Sequence, residues 1–77
     1  MPDRALFLWT VYNNPRDMPG QYVARRYEIF PDRDAEPTDD VIMSTDLDMV
    51  RRSLRLRGLT AIPREPNDEE HIVECWL

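Results

Sequence analysis

Residues 5–12, ALFLWTVY, form a nearly continuous apolar run that stops at Asn13. Phe7, Trp9 and Val11 fall on one side, and Leu6, Leu8, Thr10 and Tyr12 on the other. A short run of aromatic and β-branched residues of this length is a strand. Both of its sides are largely apolar, which predicts a central strand covered at least in part on both faces. Residues 21–30, QYVARRYEIF, predict a second strand, antiparallel to the first and partly exposed. Val23, Arg25, Tyr27 and Ile29 share one of its faces; Tyr22, Ala24, Arg26, Glu28 and Phe30 share the other. The period changes over residues 44–59. At about 100° per residue, Met43, Leu47, Val50 and Leu54 form one narrow stripe, which predicts a helix over about residues 45–57 lying on the sheet. Thr45 is the expected N-cap, with Asp48 in the capping-box position. Asp46 and Asp48 at the start and Arg51, Arg52, Arg55 and Arg57 toward the end suit the helix dipole. Gly58 supplies the stop. Short strands are expected at residues 41–43 and 59–62. Residues 71–77 predict a closing strand with Val73, Cys75 and Leu77 on one face and Ile72, Glu74 and Trp76 on the other.

The segments between these elements read as connections. Residues 13–20, NNPRDMPG, hold two Asn, two Pro and a Gly, a composition of loops. This loop is long for a hairpin tip, and long ordered loops are more often functional than short ones. Residues 31–40 form a turn-rich acidic connection carrying Asp32, Asp34, Glu36, Asp39 and Asp40. Residues 64–70 form a polar loop. The expected order is ββαββ in one small domain, residues 1–77. The fold class is α+β: a two-layer arrangement of an antiparallel sheet of three or four strands with the helix on one face. The other face then carries large apolar groups without a helix over them, and such a surface is a candidate for interaction.

Charge narrows the chemistry only a little. The chain has 15 acidic and 10 basic residues and a net charge of −5. Every basic residue is Arg. A GC-rich coding sequence accounts for this; a need for planar, bidentate partners also would. The single Cys75 cannot form an internal disulfide, which favours a reducing, cytoplasmic location. The longest apolar run, residues 5–11, is too short to span a bilayer and no signal-peptide pattern is visible, so no membrane contact is expected. His71 and Cys75 share a strand face, but roughly 13 Å apart at about 3.3 Å per residue, too far for a nucleophile–base pair. Asp32, Asp34 and Glu36 alternate somewhat like a calcium loop, but Pro37 stands where that loop needs Gly. His71 with Asp68, Glu69 and Glu70 matches no zinc spacing. With two glycines in the chain there is no Gly-rich phosphate loop. No catalytic, cofactor-binding or metal-ligating residue is therefore assigned, and neither enzyme activity nor a cofactor is expected.

Residues 9–30, the later PTDDV and the closing IVECWL together resemble a group of short, uncharacterised proteins of bacteria and their phages. In that group W-T-V-Y, P-x-D-x-P, V-A-R-R and a final I-V-E-x-W occur in the same order. The resemblance covers less than half of the chain and leaves out the helix. It implies a small bacterial or phage-derived protein, and it brings no activity, cofactor or catalytic residue with it. It does direct attention to the 13–20 loop, to Arg25 and Arg26, and to Trp76. Pro15 and Pro19 would stiffen that loop, either as a recognition element or as a turn that sets strand register.

The candidate interaction surface is accordingly Asn14, Pro15, Arg16, Asp17, Pro19, Arg25, Arg26, Arg51, Arg52, Arg55 and Trp76. The leading expectation is a non-catalytic protein-binding module or accessory subunit that self-associates or holds a protein partner. The first alternative is a nucleic-acid binder that uses the Arg flank, with Tyr22, Tyr27, Trp9 and Trp76 as stacking surfaces. The second is an acidic nucleic-acid mimic using the carboxylates of the two acidic connections.

Overall fold

The computed structural model describes residues 6–63 and 69–77. Its elements are β1 (Leu6–Asn13), β2 (Tyr22–Ile29), β3 (Glu36–Ser44), α1 (Leu47–Leu56), β4 (Ala61–Pro63) and β5 (Ile72–Trp76). The strands form one five-stranded sheet in the order β3-β2-β1-β5-β4, with every neighbouring pair antiparallel. The α+β class and the single helix agree with the sequence pattern. The count and order differ: among the described residues there are five strands, not three or four, and they run βββαββ with the helix. The added element is a full-length β3 in place of an acidic connection followed by a short strand.

β3 forms because an edge strand tolerates residues that a central strand rejects. Pro37 pairs with Tyr27 and Glu36 with Glu28 at one end; Val41 through Ser44 pair with Arg25 back to Tyr22 at the other. The ladder is irregular between these halves, and residues 38–40 lie opposite Arg26. There Thr38 Oγ1 donates to the Arg26 carbonyl at 2.9 Å and accepts from the Asp40 N–H at 3.2 Å. Pro and Asp sit in a strand here because one side of the strand needs no ladder partner. The opposite edge, β4, is three residues long and ends on Pro63. The 64–70 loop falls mostly outside the described residues.

β1 is central, as its two apolar sides require. Its register places Phe7, Trp9 and Val11 beside Glu28, Arg26 and Ala24 of β2, and Trp9 and Val11 beside Trp76 and Glu74 of β5. This is the face that α1 covers. Trp9, Val11, Ala24, Val50, Leu54 and Trp76 form the buried core, with Tyr22, Ile42, Leu47, Leu59 and Val73 packed against it. The helix stripe is thus Leu47, Val50 and Leu54; Met43 is not part of it, because it lies in β3 and is exposed. The strict alternation expected for β5 also fails. The register shifts opposite the Val11–Tyr12 step, so that Ile72 pairs with Tyr12 while Glu74 pairs with Val11. A bulge of this kind turns Val73 into the core.

α1 begins one residue later than the capping pattern predicts. Asp46, not Thr45, is the N-cap, its carboxylate accepting from the Asp48 N–H at 2.9 Å. Ser44 Oγ accepts from the Asp46 N–H at 3.0 Å and fixes the approach. The helix stops where expected: Gly58 takes a left-handed φ of 79°, and its N–H bonds the Arg55 carbonyl at 2.9 Å.

Candidate functional site

The chain presents two very different faces. On the helix side, guanidinium groups cover the aromatic surfaces that a ten-residue helix cannot reach. Arg26 lies 4.1 Å from the centroid of the Phe7 ring, Arg57 5.1 Å from Trp9 and Arg55 5.8 Å from Trp76. Away from this row, Arg33 sits 3.7 Å from the Phe30 ring. A flat guanidinium stacks on an aromatic face while keeping its N–H groups for other partners, which an ammonium does poorly.

Beneath this layer lies a polar lock between α1 and β5. Arg51 donates to Glu74 through Nε at 3.1 Å and Nη2 at 2.9 Å, and Trp76 Nε1 donates to the same carboxylate at 2.7 Å. Glu74 is buried. Burial is the largest influence on its carboxyl group and raises its pKa, but the hydrogen bonds from Arg51 and Trp76 and the charges of Arg51 and Arg55 together outweigh it. The pKa ends below the ordinary carboxylate value.

The helix-free side has a cleft of about 400 Å³ at one end, whose lining includes Tyr12, Tyr27, Arg25, Arg16, Asp17 and His71. The 13–20 loop forms one wall, and its shape comes from Asn14. This residue has a φ of 54°, a conformation that Asn tolerates better than most side chains. Its backbone N–H bonds the Gln21 carbonyl at 2.8 Å, and its side chain accepts from the Gly20 N–H at 2.7 Å. The loop then sets Asp17 against Arg25, at 3.4 Å.

In the cleft the Tyr12 and Tyr27 hydroxyls share a hydrogen bond of 2.8 Å. Burial first, then this hydrogen bond and the neighbouring Tyr27 and Glu69, push the Tyr12 pKa well above the usual phenol range. The Tyr12 hydroxyl is therefore held in its protonated form. His71 Nδ1 donates to the Asn13 carbonyl at 3.1 Å, and its Nε2 lies 3.9 Å from Glu69. Cys75 is elsewhere on this face, with Sγ 3.8 Å from Thr10 Oγ1. Among the described residues, no three His, Cys, Asp or Glu side chains come together in a way that would hold a metal ion.

The residues singled out from the sequence divide between these places. Pro15, Arg16, Asp17 and Arg25 line the cleft. Asn14 shapes the loop, and Pro19 is exposed outside the lining. Arg26 is on the helix side, paired with Asp40, with its Nε buried and lacking a hydrogen-bond partner. Arg51 pairs with Glu74, not with Asp48 one turn earlier. Arg55 stacks on Trp76, and Arg52 is exposed. Trp76 is only 3% exposed; it is a core residue, not a free stacking surface. Tyr12, Tyr27 and His71 were not singled out for the cleft. Alternation places Tyr27 on the same face as Arg25, but only the β1–β2 register brings Tyr12 to that face.

The helix-free face carries exposed apolar side chains near the ends and edges of the sheet, while Thr10 and Val23 within it are buried. Leu6 pairs with Ile29, Leu8 with Tyr27, Val23 with Met43, Arg25 with Val41 and Cys75 with Ile62. Leu77 continues this face by alternation from Trp76, in mutual hydrogen bonds with Thr60. Leu6 is 63% exposed, Leu77 57%, Met43 48% and Ile62 36%. No helix among the described residues is long and apolar enough to cross a membrane. No protein-family model, curated protein or solved structure matches the chain.

Proposed function

We propose that the chain is a small, non-catalytic protein-binding module that docks through the helix-free face of its sheet. The observation that carries this reading is the set of exposed apolar side chains at Leu6, Met43, Ile62 and Leu77, on a face opposite the one that α1 fills. A partner that presents a neutral apolar surface fits it. The edges of the sheet are poor alternatives: β4 is short and closed by Pro63, and the first half of β3 is Pro-bearing, acidic and irregular. The single Cys75 and the resemblance to short bacterial and phage proteins favour a cytoplasmic setting.

Nucleic-acid binding draws less support. Of its proposed contacts, Arg25, Arg26 and Arg51 each have an acidic partner, and Trp9 and Trp76 are buried.

The test is affinity capture from host lysate, treated with nuclease, using wild type, Leu6→Glu/Leu77→Glu and Arg52→Glu as baits. A protein held by wild type and Arg52→Glu but lost from the double variant is the expected result. Capture that the double variant leaves intact, or that nuclease abolishes, removes this reading.

A further inference from the structure

We infer that the cleft at the end of the helix-free face binds a small zwitterion whose carboxylate and amine stand several ångströms apart, the simplest example being a dipeptide with free ends. This goes beyond the docking reading and does not depend on it. The cleft, of about 400 Å³, falls in the size range of small-molecule sites. Its charged groups stand on two walls. Arg16 and Arg25 belong to the side of β2 and the 13–20 loop; Glu69, Glu70 and His71 belong to the chain that enters β5.

Each wall has hydrogen-bonding capacity left over. Arg25 meets Asp17 through Nη2 at 3.4 Å, beyond the usual length of a charge-assisted hydrogen bond. The Asp17 side chain is 64% exposed, so the pair holds weakly. The rest of the planar Arg25 fork is open to a carboxylate, which it fits bidentately. Arg16, exposed on the neighbouring loop, adds a second positive charge. On the other wall, His71 Nδ1 gives its hydrogen to the Asn13 carbonyl. In that tautomer the neutral ring turns a lone pair at Nε2 toward Glu69 Oε1, 3.9 Å away. Two acceptors then face each other. An ammonium group placed there donates to both, and Glu70 adds charge of the right sign.

Between the walls, Tyr12 and Tyr27 stand in the rows on either side of the Thr10–Arg25 pair, and their hydroxyls meet at 2.8 Å. This pair retains one free hydroxyl hydrogen and spare lone pairs, which suits a group that both donates and accepts, such as a peptide bond. The span selects the ligand. Arg25 lies opposite Thr10, and His71 is bonded to Asn13 on the other side of β1, three residues further along. Two strand spacings across and three residues along put the two backbones about 14 Å apart. A dipeptide covers about 7 Å between its charged ends, and the facing side chains cover the rest. A free α-amino acid is too short to meet both walls. A nucleotide or other polyanion would face Asp17, Glu69 and Glu70, and a simple amine would leave Arg25 unmet.

NMR titration of the isotope-labelled protein with alanyl-alanine to about 50 mM tests the inference, since a ligand of this size in an open site binds at roughly millimolar concentration. The amide signals of Asn14, Arg16, Asp17, Arg25 and His71 are expected to shift together. N-acetylation or C-amidation of the dipeptide, or its replacement by alanine, is expected to weaken binding at least about tenfold. Arg25→Gln should do the same, and Arg52→Gln, on the exposed side of the helix, should bind as wild type does. If Arg25→Gln does not fold, the blocked dipeptides decide the question on wild type. No shift at these residues, or blocked dipeptides and alanine that bind as well as the free dipeptide, overturns the inference. So does a folded Arg25→Gln that keeps wild-type affinity, or an equal loss from Arg52→Gln.

Discussion

Arg51 reaches Glu74 with two hydrogen bonds and Trp76 Nε1 adds a third, so one buried carboxylate ties the helix to β5. Glu74→Gln keeps the shape and removes the charge. It leaves Arg51, whose side chain is a third exposed, with a weaker partner. The expected loss at about pH 7 is about 2 kcal/mol, reduced from the fully buried case because water screens Arg51. The pH dependence follows from the lowered pKa of Glu74. Wild type holds the full contribution above the ordinary carboxylate value of 4.5 and loses it as pH falls through the lower folded value. The gap between the two proteins therefore closes in acid. Arg51→Ala should behave similarly, since it removes a hydrogen bond and a charge that lower the Glu74 pKa and leaves only Trp76 and Arg55 to oppose burial. That variant regains part of its deficit relative to wild type as pH falls. Urea unfolding of the three proteins between about pH 7 and pH 3 measures this. A Glu74→Gln deficit that stays constant across that range would refute the assignment. Beyond alternation, nothing local in the chain points to this lock. Asp48 stood one turn from Arg51, whereas Glu74 is 23 positions away, and only the fold brings the two together.

At the scale of the element, α1 and β3 show what local pattern can and cannot specify. The helix was legible because several independent signals agreed: an acid-rich start, an Arg-rich end, an apolar stripe and Gly58. Its first residue was ambiguous because Ser44, Thr45 and Asp46 are all capable caps. The choice fell to Asp46, whose carboxylate reaches the Asp48 N–H while Ser44 Oγ holds the Asp46 N–H. Asp46→Ala is accordingly expected to cost about 1 kcal/mol, and Thr45→Ala less than about 0.5 kcal/mol. Thermal or urea unfolding of both variants distinguishes them, and equal losses would show that the cap is misassigned. β3 was only partly legible, for a different reason. Pro37, Thr38, Asp39 and Asp40 have the composition of a turn, and their place in a strand depends on the pairing of Tyr27 and Glu28 with Pro37 and Glu36. That pairing is non-local. The Val73 bulge was hidden in the same way, because nothing in HIVECWL marks where the alternation breaks.

At the scale of the whole molecule, the central strand decides the division between a folding face and a helix-free face. Trp9 and Val11 could be assigned to one side of β1 and Leu8 and Tyr12 to the other, but two apolar sides do not reveal which receives the helix. In the structure the side with Trp9 and Val11 receives Val50 and Leu54, both fully buried. Folding should then depend on the two faces unequally. Leu54→Ala leaves a cavity under α1 and is expected to cost about 3 kcal/mol. At about 0.05–0.15 kcal/mol per residue, that is a large share of the stability of so short a chain. Met43→Ser, on the helix-free face, should change the stability of the isolated chain by less than about 0.5 kcal/mol. Urea unfolding of both variants at about 1 µM, where any concentration-dependent association is weakest, compares the two. A large loss from Met43→Ser under those conditions would mean that the helix-free face takes part in folding the single chain. A small loss would mean that Met43 is not needed to hold the fold, which is the property that a position reserved for contact must have.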